Sequence, residues 1–206
     1  MTKFLTYLMP FISVGFGIFV VKNAWAAILA YHFCILLILF VEKYRPSWRR
    51  LFRGGNTGMS FVSFLIGLVS GVTLYLAGTG LFSLPQDFTI KLNQFGLTGS
   101  QWMPFILYYS LVNPFMEEIY WRGYLGSATA QITWSDICYA GYHPLVILQF
   151  APWPIAIGAF IVLVGAAWVW RYWIRKYNGM LLPFVMHTAA DISIILAVYW
   201  MAVSLR

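Results

Sequence analysis

The feature that most constrains this chain is a series of apolar runs, each about as long as a membrane is thick. An α-helix needs about 20 apolar residues to cross a bilayer. Runs near that length cover residues 4–21, 24–41, 59–83, 104–125, 134–151, 154–173 and 181–203. Composition agrees, because 61% of the residues are hydrophobic and only 9% are charged, which is not typical of a soluble domain. The sequence therefore predicts an all-α polytopic transmembrane helical bundle of about seven spans, forming one domain over residues 1–206.

Basic residues predict the orientation of the bundle. Five of the thirteen lysines and arginines lie in the loop between the second and third runs; they are Lys43, Arg45, Arg49, Arg50 and Arg53. Loops rich in lysine and arginine stay in the cytoplasm. We therefore expect an integral protein of the cell membrane with a cytoplasmic N-terminus. The net charge of +7 is interpreted as a topology signal and an attraction to anionic lipid, with no nucleic-acid partner.

Three charged residues interrupt the fourth run. A charged group at the centre of a membrane helix costs about 2.5 to 3.5 kcal/mol, so Glu117, Glu118 and Arg122 need compensation. Glu118 and Arg122 are four residues apart and can pair on one helical face. Glu117 is rotated by about 100° from Glu118 and has no local partner, so the two glutamates are expected to serve different faces. We predict that Glu118 and Arg122 brace the helix and that Glu117 faces a cavity.

Three further polar residues lie at a similar depth: His143 on the fifth run and His187 and Asp191 on the seventh. At 1.5 Å per residue, Glu117 lies about 20 Å from the outer start of its helix. His143 and His187 lie about 13 Å and about 9 Å from the inner starts of theirs. All three positions fall in the inner half of the bilayer, which predicts a single site.

The spacing of these residues resembles three motifs of a known family. The chain contains Glu117-Glu118 with Arg122, Tyr139 with His143, and His187 with Asp191. The first set is similar to the motif EExxxR, the second to FxxxH with Tyr in place of Phe, and the third to HxxxN/D. The three motifs occur in the same order in the CPBP family of CAAX proteases and bacteriocin-processing enzymes. The motifs span residues 117 to 191, inside membrane segments, so the chain resembles this family.

The resemblance implies an intramembrane glutamic endopeptidase. Glu117 and His143 would activate a water to attack a peptide carbonyl, while His187 and Asp191 would stabilise the oxyanion. An ionised aspartate repels an oxyanion, so Asp191 is expected either to be protonated or to orient His187. Glu118, Arg122 and Tyr139 would give structural support. The family implies no cofactor and no metal, and its substrates are membrane-associated: prenylated CAAX-type tails, leader peptides or sorting signals.

Three other functions use the same residues. Glu117, His143, His187 and Asp191 also form a plausible ligand set for zinc, although the chain has no HExxH motif. Intramembrane carboxylates and histidines also occur in proton-coupled transporters. A non-catalytic immunity protein would bind a partner without cleaving it. Chelation of metal tests for a metalloprotease, uptake by proteoliposomes tests for a transporter, and protection by a Glu117→Ala variant tests for an immunity protein.

Several polar or small residues are assigned to structure alone. His32 is interpreted as a lone structural polar group and Asp136 as a residue at the membrane interface. The spacing of Gly67 and Gly71 predicts a close approach between two helices, as in GxxxG sequences.

Overall fold

The computed structural model of this chain describes residues 3–81 and 85–204, and the described residues form helices with no strand among them. The α-helices are α1 (Lys3–Gly15), α2 (Ala24–Val41), α3 (Trp48–Leu51), α4 (Thr57–Leu76), α5 (Phe88–Gln94), α6 (Trp102–Glu117), α7 (Trp134–Gly141), α8 (His143–Ile147), α9 (Trp153–Tyr177) and α10 (Leu181–Ser204). Three of them continue as π-helical segments, Phe16–Val21 after α1, Ala77–Leu81 after α4 and Glu118–Tyr124 after α6. The predicted all-α fold is confirmed.

Five helical segments are long and apolar enough to cross a membrane. They are Phe4–Val21, Ala24–Val41, Thr57–Gly80, Trp153–Tyr177 and Leu181–Ser204. A sixth long segment joins the 16 residues of α6 to the 7 residues of the π-helical segment that follows. These six correspond to predicted runs, and the predicted end of the third run, at residue 83, lies outside the described residues.

The predicted fifth span is not one helix. It consists of α7, with 8 residues, and α8, with 5 residues, separated at Tyr142. Pro144 lies in the first turn of α8, and a proline lacks the backbone N–H that a continuous helix needs at that point. The helix is therefore interrupted directly beside His143.

Side-chain caps define where several helices begin. Asn23 accepts a hydrogen bond from the backbone N–H of Ala26 at the start of α2, and Asn56 does the same for Met59 at the start of α4. Thr133 and Asp136 form a reciprocal capping box at the start of α7. Such caps satisfy N–H groups that have no partner within the helix.

Helix α4 packs tightly along α10. A Cβ atom added to Gly67 would lie 2.3 Å from the carbonyl oxygen of Met186, and one added to Gly71 would lie 2.1 Å from the Ser193 backbone. The Ser193 hydroxyl accepts a hydrogen bond from the Gly71 N–H at 3.0 Å. The predicted close approach at these glycines is confirmed, and it positions the helix that carries His187.

Large aromatic side chains are prominent in the centre of the bundle. The largest buried cluster includes Tyr31, Trp121, Tyr139, Tyr142 and Trp170. Many large apolar side chains on the long helices are exposed instead, as expected for surfaces that contact lipid. The polar motifs lie within the aromatic core and away from this lipid-facing surface.

Candidate active site

The two motif glutamates lie where α6 changes into a π-helix. Glu117 is the last residue of α6 and Glu118 the first of the π-helical segment. The segment closes with a hydrogen bond from the Leu125 N–H to the Tyr120 carbonyl at 2.8 Å, five residues apart. Single π-helical turns occur frequently at functional sites. Both glutamate side chains are completely buried.

A single imidazole contacts both glutamates. The Nδ1 atom of His187 lies 2.9 Å from Glu118 Oε1, and its Nε2 atom lies 3.3 Å from Glu117 Oε2. The two glutamates point in different directions, as expected for neighbouring helical residues. The two nitrogens of an imidazole also point apart, so each carboxylate meets one of them and both glutamates belong to one site. Ionised carboxylates only accept hydrogen bonds, so both His187 nitrogens donate only when both are protonated.

Asp191 lies beside this imidazole and is held by an amide. Its Oδ1 atom is 3.7 Å from His187 Nε2, which is beyond hydrogen-bonding distance. Its Oδ2 atom accepts a hydrogen bond from Asn113 Nδ2 at 3.0 Å. Asn113 is on α6, one turn before Glu117, so α6 positions both Glu117 and Asp191.

His32 belongs to the same polar network and is not the lone polar group that the sequence indicates. Its Nε2 atom lies 3.2 Å from Asn113 Oδ1, and its Nδ1 atom lies 2.9 Å from the hydroxyl of Tyr108. An amide oxygen can only accept, so Nε2 donates to it and a neutral His32 accepts the Tyr108 proton at Nδ1. The chain of hydrogen bonds thus extends from Asp191 through Asn113 and His32 to Tyr108.

His143 is oriented by its own helix and by an aromatic neighbour. Its Nδ1 atom lies 2.9 Å from the Tyr139 carbonyl oxygen, which can only accept, so Nδ1 carries the proton. The Nε2 atom of a neutral His143 therefore has a free lone pair. The ring stacks on Tyr142, with centroids 4.2 Å apart. Within the described residues no hydrogen bond joins His143 to Glu117; Tyr142 connects them, because its hydroxyl donates to Glu117 Oε1.

Arg122 lies between two aromatic rings. Its guanidinium carbon is 3.8 Å from the centre of the Tyr139 ring and 4.6 Å from that of Trp170. Its Nη1 atom is 3.6 Å from Glu118 Oε1, so the predicted ion pair is present, although the hydrogen bond of Glu118 goes to His187. The Tyr139 hydroxyl lies 3.4 Å from His187 Nε2. Tyr139 thus contacts both the arginine and the histidine of the site.

Sequence reasoning missed two tyrosines of this site. The Tyr31 hydroxyl, from α2, donates to Glu117 Oε1 at 2.7 Å, and the Tyr142 hydroxyl donates to the same oxygen. Tyrosine is common in apolar helices, and Tyr31 lies 86 positions before Glu117. No local pattern could have linked the two residues.

Four polar atoms of the site are buried without a hydrogen-bond partner among the described residues. They are Glu117 Oε2, Glu118 Oε2 and the Nη1 and Nη2 atoms of Arg122. Glu117 Oε2 is within ion-pair distance of His187 but lacks hydrogen-bond geometry. Buried polar atoms are usually satisfied in folded proteins, so a group of four such atoms distinguishes this cluster from an ordinary structural one.

A second buried ion pair lies at the start of α7. Asp136 is only 2% exposed, so its carboxylate is enclosed by the protein, and its position at the membrane interface stays a prediction. Arg171 on α9 binds it through Nε at 2.7 Å and Nη2 at 2.6 Å. The remaining N–H groups of Arg171 bond to the carbonyl oxygens of Ser127, Thr129 and Gln131. The charge of Asp136 is compensated inside the protein, which is why it can be buried.

The metal-site alternative finds no support in the arrangement of ligands. Within residues 3–81 and 85–204, no three histidine, cysteine, aspartate or glutamate side chains are grouped so that they could hold a metal ion. The carboxylates of the site instead contact His187 and the two tyrosines.

Comparison with known proteins supports the family resemblance. Residues 99–193 match the model of the Rce1-like family, described as type II CAAX prenyl endopeptidase Rce1-like. This range contains all three motifs and confirms the resemblance that they predict. No curated protein and no solved structure matches the chain. Helices α1, α2 and α4 lie outside the matched range, and α2 nevertheless supplies Tyr31 to the site.

Proposed function

We propose that this intramembrane protease, whose residues 99–193 match the Rce1-like type II CAAX prenyl endopeptidase family, hydrolyses its substrate with a water activated by Glu117 and His143. One observation carries the proposal. Glu117 is completely buried, one of its oxygens accepts two tyrosine hydroxyls, and the other has no hydrogen-bond partner. A buried carboxylate with one open oxygen suits a general base, which must reach the proton that it removes.

Two different residues would accept hydrogen bonds from the attacking water. Glu117 Oε2 is the first, and the lone pair on His143 Nε2 is the second, because the Tyr139 carbonyl holds the proton of His143 on Nδ1. Tyr142 contacts both residues, so the two acceptors are held in a fixed relation. A water between them would donate one proton and direct its lone pair at a peptide carbonyl carbon.

His187 and Asp191 take the oxyanion role. His187 Nε2 lies within 3.4 Å of both Glu117 Oε2 and the Tyr139 hydroxyl, so its N–H points into the same space as the open oxygen. A donor placed there before the reaction stabilises the charge that develops on the carbonyl oxygen. Asp191 is held by Asn113 at 3.7 Å from His187 Nε2. That position suits orientation of the imidazole, as in a catalytic triad.

The substrate is a membrane-associated protein or peptide. CAAX-type tails, leader peptides and sorting signals all present a peptide bond close to a membrane surface, and the family match favours the CAAX type. In the proposed topology the N-terminus is cytoplasmic in the cell membrane and the site opens from the inner half of the bilayer.

Cleavage by the purified chain tests this proposal. Wild type, Glu117→Gln and His143→Ala are each incubated in liposomes with prenylated and unprenylated peptides, and the products are identified by mass spectrometry. Asp87→Asn is the matched control, because Asp87 is an exposed carboxylate that pairs with Lys91. The proposal predicts cleavage by wild type and by the control and none by Glu117→Gln. Equal cleavage by all four proteins would contradict it.

Three additional experiments separate the alternative functions. Chelation followed by zinc should change the rate of a metalloprotease and leave a glutamic protease unaffected. Uptake by liposomes that disappears in Glu117→Gln would indicate a proton-coupled transporter. Protection of a host cell by the Glu117→Ala chain would indicate an immunity protein that acts without catalysis.

A further inference from the structure

Two tyrosine hydroxyls converge on one oxygen of Glu117. Tyr31 from α2 donates to Oε1 at 2.7 Å, and Tyr142, between α7 and α8, donates to the same atom. The rings are 2% and 6% exposed and lie 5.1 Å apart. The second oxygen, Oε2, has no hydrogen-bond partner among the described residues. The two oxygens of one carboxylate therefore have different surroundings.

The direction of the Tyr31 hydrogen bond is set by a third residue. The indole Nε1 of Trp121 lies 2.8 Å from the Tyr31 oxygen. An indole N–H can only donate, so the Tyr31 oxygen accepts from Trp121 and keeps its own proton for Glu117. The chain of donors runs in one direction, from Trp121 through Tyr31 to Oε1. Trp121 is itself completely buried, so this chain has no competing contact with bulk water.

Tyr142 links the carboxylate to the imidazole of His143. Its hydroxyl is bonded to Glu117, while its ring stacks on His143 at 4.2 Å with an angle of 26° between the planes. On its other side the ring stacks on Trp121 at 6.4 Å and 16°. Trp121 therefore supports both tyrosines, one through a hydrogen bond and the other through stacking.

We infer that Tyr31 and Tyr142 are positioning residues that occupy Oε1 of Glu117 and so reserve Oε2 as the oxygen that takes a proton from water. The inference rests on the proposed function. Two donated hydrogen bonds withdraw electron density from Oε1 and fill the space around it, so a water can reach only Oε2. The open oxygen also lies next to His187 Nε2, 3.3 Å away, where the developing oxyanion is stabilised.

The step that this arrangement selects is balanced in atoms and charge. One O–H bond of the water breaks and its proton moves to Oε2, while the water oxygen forms a bond to the peptide carbonyl carbon and the π electron pair of the C=O bond moves onto the carbonyl oxygen. When the C–N bond of the peptide breaks, that pair re-forms the C=O bond and the same proton passes to the leaving amine nitrogen. Glu117 then returns to its carboxylate form, and no oxidant, reductant or co-reactant is required.

Removing one hydroxyl at a time tests the inference. Tyr31→Phe and Tyr142→Phe keep the rings and their stacking and lose only the donors. We expect kcat to fall about 10- to 100-fold in each variant, the range for losing a hydrogen bond to a charged group, while KM changes less than about threefold. Tyr199→Phe is the matched control, because the Tyr199 ring packs on Trp102 away from the site. Unchanged kcat in both variants, or a loss confined to KM, would overturn the inference.

A second readout does not require a substrate. The chain has only three glutamates, Glu42, Glu117 and Glu118, so ¹³C-carboxyl labelling followed by subtraction of the Glu117→Gln spectrum isolates the infrared band of Glu117. We expect this band to shift in Tyr31→Phe and in Tyr142→Phe and to stay in place in Tyr199→Phe. A band that stays in place in all three variants would overturn the inference. If the band shifts and wild type cleaves nothing, the hydrogen bonds are present and the proposed function is the part that fails.

Discussion

Two ionic clusters are buried among the described residues, and they differ in how completely their hydrogen bonds are made. Arg171 uses its Nε, Nη1 and Nη2 atoms in five hydrogen bonds, to Asp136 and to three loop carbonyls. Arg122 lies between two aromatic rings, and its Nη1 and Nη2 atoms have no hydrogen-bond partner among the described residues. A buried donor without a partner costs about 1 to 3 kcal/mol. Complete pairing is the pattern of a structural cluster, whereas open atoms are the pattern of a site that keeps room for a ligand.

The two clusters also differ in position. The Asp136–Arg171 pair ties the loop before α7 to α9, and so fixes the helix that ends beside His143. The Glu117, Glu118 and His187 cluster lies where α6 meets α10. The two clusters therefore join different helices, and variants of each are expected to fail in different ways.

The largest expected effect is on turnover and comes from Glu117→Gln. The amide keeps the shape of the side chain and removes the base, so kcat should fall by about 10³- to 10⁴-fold. The free energy of unfolding should stay equal or rise, because a buried charge with an open oxygen has been neutralised. Thermal unfolding and peptide cleavage are measured on one preparation. If Glu117→Gln is both inactive and strongly destabilised, the cluster around Glu117 is structural in the same way as the Asp136–Arg171 pair, which contradicts the comparison.

The next effect is on stability and comes from Asp136→Asn. The amide leaves the Arg171 charge uncompensated inside the protein, and breaking a buried pair from one side costs about 3 to 5 kcal/mol. The midpoint of thermal unfolding should therefore fall well below that of wild type. Asp87→Asn, which alters an exposed pair with Lys91, should leave the midpoint within error. A midpoint for Asp136→Asn equal to that of wild type would show that the pair is not structural.

A smaller effect is expected where α4 packs on α10. In Gly67→Ala the new methyl group would meet the Met186 carbonyl at 2.3 Å, so α10 must move, at a cost of about 1 to 3 kcal/mol. Because α10 carries His187 and Asp191, activity should fall together with stability. Gly165→Ala is the control, since nothing lies within 4 Å of a Cβ atom at that position. Equal behaviour of the two variants would show that this helix contact does not position the site.

The smallest effect should come from Arg122→Lys. Lysine keeps the positive charge near Glu118 and loses the flat stacking on Tyr139 and Trp170, a contact of about 0.5 to 2 kcal/mol. We expect a fall in the unfolding midpoint of a few degrees with cleavage retained. If Arg122→Lys is as inactive as Glu117→Gln, then Arg122 takes part in the chemistry and does not only support the helix.

The sequence was sufficient to predict the helical fold and several of the residues that meet in the site. Runs of membrane length predict helices, because a bilayer leaves the backbone few alternatives. The four-residue spacing of Glu118 with Arg122 and of His187 with Asp191 is also local information. The shared depth of Glu117 and His187 brought them together correctly, even though their helices are distant in sequence.

What the sequence could not predict depends on how each helix is rotated about its axis. Tyr31 and His32 reach the site because one face of α2 is turned toward α6, and tyrosine carries no signal of such a role. Arg171 is buried against Asp136, and the 35 positions between the two residues leave no local pattern that would link them. The break at Tyr142 followed from Pro144, but the stacking of Tyr142 on His143 did not.

The most direct test of the central claim is the turnover of correctly folded Glu117→Gln beside that of correctly folded Asp136→Asn. Both variants are purified at a temperature below their unfolding transitions, and cleavage is measured by mass spectrometry per mole of folded protein. The account predicts that folded Asp136→Asn cleaves within about tenfold of the wild-type rate, and that folded Glu117→Gln cleaves at least about 10³-fold more slowly. Cleavage by Glu117→Gln at the wild-type rate would contradict it.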